Sequence, residues 1–353
     1  MTRTLPRGGV VRTARLTDLA AVGELSRRAS DGHDDTRSLG LPVAGLPISV
    51  FGLFALPLGA FRASDRLYVH AQGGSVTGLA RLELEPNDEA TIVELDAIGP
   101  AAGEVRFRLL DHVLRDVAKR GVVRFHVACA DAMDNVELFM QAGFIRYGEE
   151  RLLYRPPAAA RVALSPEDVA EARVRPATAV DALALARLYA AVTPQPVLRL
   201  EAYRLPDWER TSGHPRPPRS SLAPLLRLSD LETYVREAAD GGAGEHLDAF
   251  LRLGIAQAAQ PHFLRVIALP GADARPLIRY ALGVIAARTT GLRHDGLFGH
   301  RGEQGVLSPV RTYEAPLDRQ LEDAGFAEIA TVTLLMKETL VRVAEPALVP
   351  AIR

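Results

Sequence analysis

Cysteine is nearly absent from this chain: Cys129 stands alone among 353 residues. An intrachain disulfide is thereby excluded, and a reducing cytoplasm is the expected compartment. An excess of one charge is missing as well. Lys and Arg number 42 against 43 Asp and Glu, and neither sign forms a long run. Nucleic acid is therefore not expected as a partner, because phosphate binding needs a basic surplus. The opening MTRTLPRGGVVRTAR lacks the apolar run of a signal peptide. No His, Cys, Asp and Glu spacing suggests a metal site, and no nucleophile-elbow or Walker pattern occurs. An uncharged stretch from Ser38 to Phe61 is as long as a membrane span, which needs about 20 apolar residues. Pro42, Pro47 and Pro57 interrupt it, together with four glycines. Each interior proline removes a helix hydrogen bond, and a lone helix in lipid cannot satisfy the freed groups. No membrane span is expected. The stretch should form short helical pieces and turns, buried against the second half or lining an apolar pocket.

What is present is enough apolar sequence, 48%, for two cores in a chain of this length. An internal repeat organises it. VRTARLTDLAAVGELSRRA near the start is echoed by ARVRPATAVDALALARLYAAV, each reading as a strand, a turn and an amphipathic helix. Leu19, Val22, Ser26 and Ala29 share one helix face, and Leu185, Leu188, Tyr189 and Val192 share the other. MQAGFIRYGEERLLYRP is echoed by EDAGFAEIATVTLLMKETLVRV. In both, a helix ends at glycine, Gly143 or Gly325, because the residue past a helix end usually takes positive φ. Between the echoes both halves read as three strands, a helix, a strand and a helix. The first of those helices buries Phe107, Leu110, Leu114 and Val117 in one half, and Ile278, Ala281, Leu282 and Ile285 in the other. Asp273 and Pro276 are suited to start the second. Residues 1–157 and 171–353 are read as two domains, and the Pro- and Ala-rich 158–170 as a linker.

This order, opening on R-x-A-x-x-x-D-L and closing on A-G-F, resembles the GNAT (Gcn5-related N-acetyltransferase) superfamily, twice over. The resemblance implies a mixed α/β class: two tandem acyl-CoA N-acyltransferase folds, each a splayed mixed sheet flanked by helices. It also implies acetyl-CoA as co-substrate and a small-molecule or peptide amine as acceptor. The pantetheine arm would lie where the fourth and fifth strands part. Its pyrophosphate would sit on the next helix N-terminus, where free N–H groups and the helix dipole attract anions.

The family's phosphate loop has the form R/Q-x-x-G-x-G/A. Here the first half reads Ala101 to Arg106 and the second Pro270 to Pro276, and neither matches. Gly103, Arg106, Arg108 and Arg275 are the cofactor-binding candidates left. Glu104 opposes an anion, Pro276 lacks an N–H, and Asp273 suits a cap. Weak acetyl-CoA binding, at about 1 mM or worse, is expected. The tyrosine that family members often use to protonate the leaving thiolate is replaced by Phe139 and Leu321, and neither can donate a proton. Tyr313 lies too far along to take that role. On the strand ATIVELDAIG, period two places Ile92, Glu94, Asp96 and Ile98 on one face. Glu94 and Asp96 are the catalytic candidates, as general bases. Lining a half-exposed, solvated face is the alternative. The matching strand of the second half is aligned with Leu264 and Val266 in their place. His126 and Arg124 share a face on the next strand. Two functions stay open: an acyl-CoA-dependent N-acyltransferase, or a silent GNAT-fold protein that binds a ligand or partner.

Overall fold

The computed structural model describes residues 9–41, 65–85, 88–157, 164–209, 221, 228–238, 246–256, 260–290 and 304–339. The first half runs β1 (Val10–Thr13), α1 (Leu19–Ser30), β2 (Thr36–Arg37), β3 (Asp65–Gln72), β4 (Ser75–Glu85), β5 (Glu89–Ile98), α2 (Ala102–Ala118), β6 (Arg124–Ala130), α3 (Asn135–Gln141) and β7 (Ile145–Arg155). A short helix, α4 (Pro166–Ala172), leads into the second half. There come next β8 (Val174–Pro176), α5 (Ala182–Val192), α6 (Gln195–Glu201), α7 (Leu205–Glu209), β9 (Leu228–Glu237), β10 (Leu247–Ala256) and β11 (His262–Ala268). The half closes with α8 (Arg275–Thr290), β12 (Val306–Arg311), α9 (Ala315–Asp323) and β13 (Ala327–Glu338).

The opening motif works as a clamp. Arg12 holds both oxygens of Asp18 at 2.6 and 2.9 Å, and the same aspartate accepts the Arg15 N–H at 2.7 Å. Arg175 holds Asp181 at 2.9 and 2.8 Å, and Asp181 accepts the Thr178 N–H at 2.7 Å. A separation of six residues thus spans a strand end, a turn and a helix start, which explains the spacing that recurs. Gly143 and Gly325 both sit at positive φ, +86° and +89°, as helix ends require.

The strands form one 13-stranded sheet in the order β1-β3-β4-β5-β6-β13-β7-β12-β11-β10-β9-β8, with β2 against β5. Its centre exchanges strands. The last strand of the chain, β13, pairs antiparallel with β6 of the first half, Leu334 opposite Ala128. In turn β7 pairs with β12 of the second half, Leu152 opposite Pro309. The two exchanged strands pair with each other along the middle. Each half therefore completes its sheet with the other's final strand.

Helix α2 packs Val105, Leu109, Val113 and Val117 onto a core shared with Leu82, Ile92, Leu95, Phe125 and β13's Leu335. Helix α8 packs Leu277, Ile278, Ala281 and Ile285 onto the matching core of the second half. Val22 and Leu25 of α1 cover the opposite sheet face over Val69 and Leu79. Phe107 departs from the expected stripe and is 40% exposed. The buried stripe runs 102, 105, 106, 109, 110, 113, 114 and 117, and residue 107 falls one helical step outside it. Part of the expected linker is helical. Ser165 caps α4, and Arg279 of α8 reaches Asp168 and Glu171 there. Of the uncharged stretch, Leu39 and Leu41 are buried, and residues 42–61 lie outside the described residues. No helix among the described residues is long and apolar enough to cross a membrane.

Candidate active site

Strands β5 and β6 run parallel only from Glu89–Arg124 to Ile92–Val127, then part. At the same point β5 carries an extra residue. Arg81 faces Glu94 and Leu82 faces Ile92, leaving Val93 with no opposite residue on β4. Such a bulge bends the strand and re-aims the side chains beyond it. A cleft opens there, with Thr91, Ile92 and Val93 on one wall and His126, Val127 and Ala128 on the other.

The bulge corrects the expected face pattern. Ile92 packs in the α2 core with Leu95 and Ala97, whereas Glu94 and Asp96 turn toward α1. Both carboxylates are buried, at 6% and 4% exposure, so the solvated-face alternative does not hold. Glu94 accepts from Arg81 Nε at 2.9 Å and from Ser26 Oγ at 3.4 Å. Asp96 has no hydrogen-bond partner among the described residues. Burial, then the neighbouring Glu94, holds its carboxyl well above the usual range, while Arg106 and Arg81 pull it partly back.

The bulge also shifts the match between halves. Strand β10 pairs with β11 without an extra residue there, Arg252 opposite Arg265 and Leu253 opposite Leu264. Counted from the paired strands, Leu264 occupies the place of Ile92, Arg265 that of Glu94 and Ile267 that of Asp96. The alignment with Leu264 and Val266 is thus displaced by one residue. Both belong to the α8 core, while Ile267 packs under α5 with Leu188 and Phe250.

The four cofactor candidates stand in different settings. Gly103 lies in the first turn of α2, and among the described residues outside that helix a Cβ there would meet only Arg37 Nη1, at 3.9 Å. That helix start has no side-chain cap. Arg108 pairs with Glu104 at 2.5 Å on the exposed face, so the carboxylate expected to repel an anion is offset. Arg106 is 1% exposed and points inward. It donates to Leu95 O at 3.1 Å, to Ser38 O at 3.3 Å and to Asn135 Oδ1; burial brings its pKa down to about 10. Arg275 is exposed and folds back on Asp273 at 2.9 Å, and the same oxygen accepts its N–H at 3.0 Å. Sequence reasoning missed Arg37, which approaches the open helix start from β2 and pairs with Asp134 at 3.2 Å. It stands far from the loop in sequence, and nothing local marks it.

Elsewhere, His126 is 2% exposed and sits 3.6 Å from Glu89. Arg124 contacts the same Glu89 at 3.2 Å, so the pair shares a face as expected. Phe139 and Leu321 are fully buried core residues.

No family model matches the sequence, and no curated protein sequence matches it. Solved structures do. A GCN5-related N-acetyltransferase from Sphaerobacter thermophilus is similar over 95% of this chain and 97% of its own, with TM-score 0.54 and 14% identity. A tandem GNAT protein from the clavulanic acid biosynthesis pathway, solved without AcCoA, is similar over 94% and 98%, with TM-score 0.53 and 12% identity. With the repeated element order and the parted parallel strands, these likenesses fix the architecture: the chain carries the GNAT N-acetyltransferase fold, twice, in tandem.

Proposed function

We propose that this protein is an acyl-CoA-dependent N-acyltransferase acting on an amine, with its working site in the first half. The observation that carries the reading is Asp96. Among the described residues this nearly buried carboxyl has no hydrogen-bond partner, and it stands one turn of the pleat beyond a second carboxylate, a pairing that is costly to keep for stability alone. Burial and the neighbouring Glu94 raise its pKa well above the usual carboxylate range, which makes it a stronger proton acceptor than an ordinary carboxylate. Glu94, anchored by Arg81 and Ser26, would hold the water or amine through which the proton travels.

Acetyl-CoA, the co-substrate that the fold implies, finds partial support in the residues present. The uncapped start of α2, the space above Gly103, and Arg37 and Arg108 beside it suit a pyrophosphate. The amine would lose its proton toward Asp96, and its nitrogen would attack the thioester carbonyl. A backbone N–H of the bulged strand would hold the oxyanion. The carbon–sulfur bond then breaks, and the thiolate takes a proton from solvent, since Phe139 has none to give.

Thiol release tests this. Purified protein, acetyl-CoA and a panel of primary amines should give free CoA in step with acylated amine. The second reading, a ligand-binding protein without turnover, rests on Arg106 and Arg275 being committed within the protein. Saturable acetyl-CoA binding with no thiol released would favour it.

A further inference from the structure

Past Ile92 and Val127 the parted strands β5 and β6 do not face an empty gap, because the chain's own backbone crosses it. Strand β2 pairs with the far end of β5, Thr36 opposite Ile98 and Arg37 opposite Ala97. Asp35 O accepts the Gly99 N–H at 2.8 Å. The residues that follow reach the other bank, where Leu39 O accepts the Ala130 N–H of β6 at 2.8 Å. Leu39 and Leu41 are buried in the core under α2. Residues 36–41 thus bridge β5 and β6 where those strands no longer pair with each other.

Arg106 catches this crossing from α2. Its guanidinium donates to Leu95 O on β5, to Ser38 O on the crossing and to Asn135 Oδ1 on α3. Asn135 Nδ2 in turn donates to Ala130 O at 3.2 Å. Gly40 shows how closely the crossing lies on β6. It sits at φ +69°, and a Cβ there would stand 2.9 Å from that of Ala130. Two donors of the gap, Arg106 and the Ala130 N–H, are therefore held by backbone carbonyls, Ser38 O and Leu39 O. The second half closes the matching place with a side chain instead. Arg265 reaches Pro309 O on β12 at 3.2 Å and both oxygens of Glu314 at 2.7 Å. Breaking a buried ion pair is strongly unfavourable. A backbone carbonyl, by contrast, can be exchanged in kind for the carbonyl of a ligand's amide.

We propose that residues 38–41 are an autoinhibitory strap: they hold the gap between β5 and β6 shut, and an acyl-CoA arm enters only when they leave it. The arm's amide carbonyls then take over Arg106 and the Ala130 N–H from Ser38 and Leu39. Strand β2 is the fixed root on which the strap turns, and it keeps Arg37 beside the start of α2. Affinity is reduced by the fraction of molecules in which the strap is closed. The inference rests on the acyltransferase reading for the identity of the ligand, while the strap itself rests on the backbone pairing.

Gly40→Ala adds a methyl where Ala130 leaves no room and where φ is positive, so it disfavours the closed strap. Hydrogen exchange reads the strap without any ligand. The Ala130 amide should exchange at least about tenfold faster than in the wild type, while the β6 amides facing β13 keep their rates. Equilibrium dialysis of the full chain against labelled acetyl-CoA should show binding tightened by at least about tenfold. Leu39→Ala, which shortens the strap's buried side chain, should reproduce both changes if strain at residue 40 disturbs the fold more widely. An Ala130 amide unchanged in both variants would overturn the strap. So would a freed amide with binding unchanged or weakened. A freed amide with no acetyl-CoA bound by any of the proteins at millimolar concentration would instead remove the acyltransferase reading, and this inference with it.

Discussion

Replacing Asp96 by Asn exchanges one oxygen for one nitrogen at a site 4% exposed, so shape is kept and only the charge and the proton are lost. Burial and Glu94 raise the folded-state pKa of Asp96, whereas the unfolded carboxyl titrates near about 3.9. Below the unfolded pKa both states are protonated, and the group costs nothing. As pH rises above it, the unfolded state ionises first, and folding stability falls by roughly 1.4 kcal/mol per pH unit until the folded pKa is reached. Asparagine has no such dependence. Asp96→Asn should therefore be more stable than the wild type at pH 7, because it removes the cost of ionising a buried carboxyl beside Glu94. Denaturant unfolding from pH 4 to 8 measures this: the two curves should diverge as pH rises. If Asp96 handles the acceptor's proton, acyl transfer should fall by about 100-fold or more in the same variant. A more stable, less active protein is the expected outcome, because activity here depends on a destabilising group. Parallel pH–stability curves for both proteins would refute the electrostatic argument. Unchanged transfer by a stabilised variant would refute the catalytic one.

Arg106→Ala should cost about 3–5 kcal/mol, because it strips a buried cation from Ser38 O, Leu95 O and Asn135; a variant of wild-type stability in urea that only loses acetyl-CoA affinity would return Arg106 to the ligand. Arg265→Ala should be similarly destabilised by leaving Glu314 buried without its partner, while Arg265→Met combined with Glu314→Gln should recover most of the loss in denaturant melts. His262 is pushed down to about 4 by burial, so it folds as neutral imidazole. Its unfolded form takes up a proton from about pH 6.5 downward, and stability should drop between there and pH 4 by up to roughly 1.4 kcal/mol per unit. His262→Gln should flatten that slope.

The repeat was legible because it rests on local rules. Arg12 and Asp18 recur as Arg175 and Asp181, Gly143 and Gly325 end matching helices, and the stripe of α8 keeps its period. The carboxylate pair was visible too, since Glu94 and Asp96 alternate on a strand rich in apolar residues. What escaped depends on tertiary pairing. One extra residue at Val93 reverses the face of everything before it, and no composition marks a bulge. Arg106 reads as a cofactor-binding candidate because it stands in the first turns of α2, yet three acceptors hold it inside. Nor does any period reveal which strand a strand will choose, so the exchange of β7 and β13 was invisible.

That exchange bears on how the chain is made. Thr339, just past β13, hydrogen-bonds to Val122 across 217 residues of sequence. During synthesis, β6 emerges long before the strand that will cover its edge. Until then the nascent first half presents an unpaired apolar edge, Phe125 to Cys129, which is a template for pairing with another chain. Closing so distant a contact is also slow. The protein should therefore fold as one late, cooperative event rather than half by half. It should need a chaperone-like shelter for its first sheet until the last strand arrives. A nascent chain arrested before Ala327 should be captured by holdases and be protease-sensitive in β6, whereas the released full chain is neither.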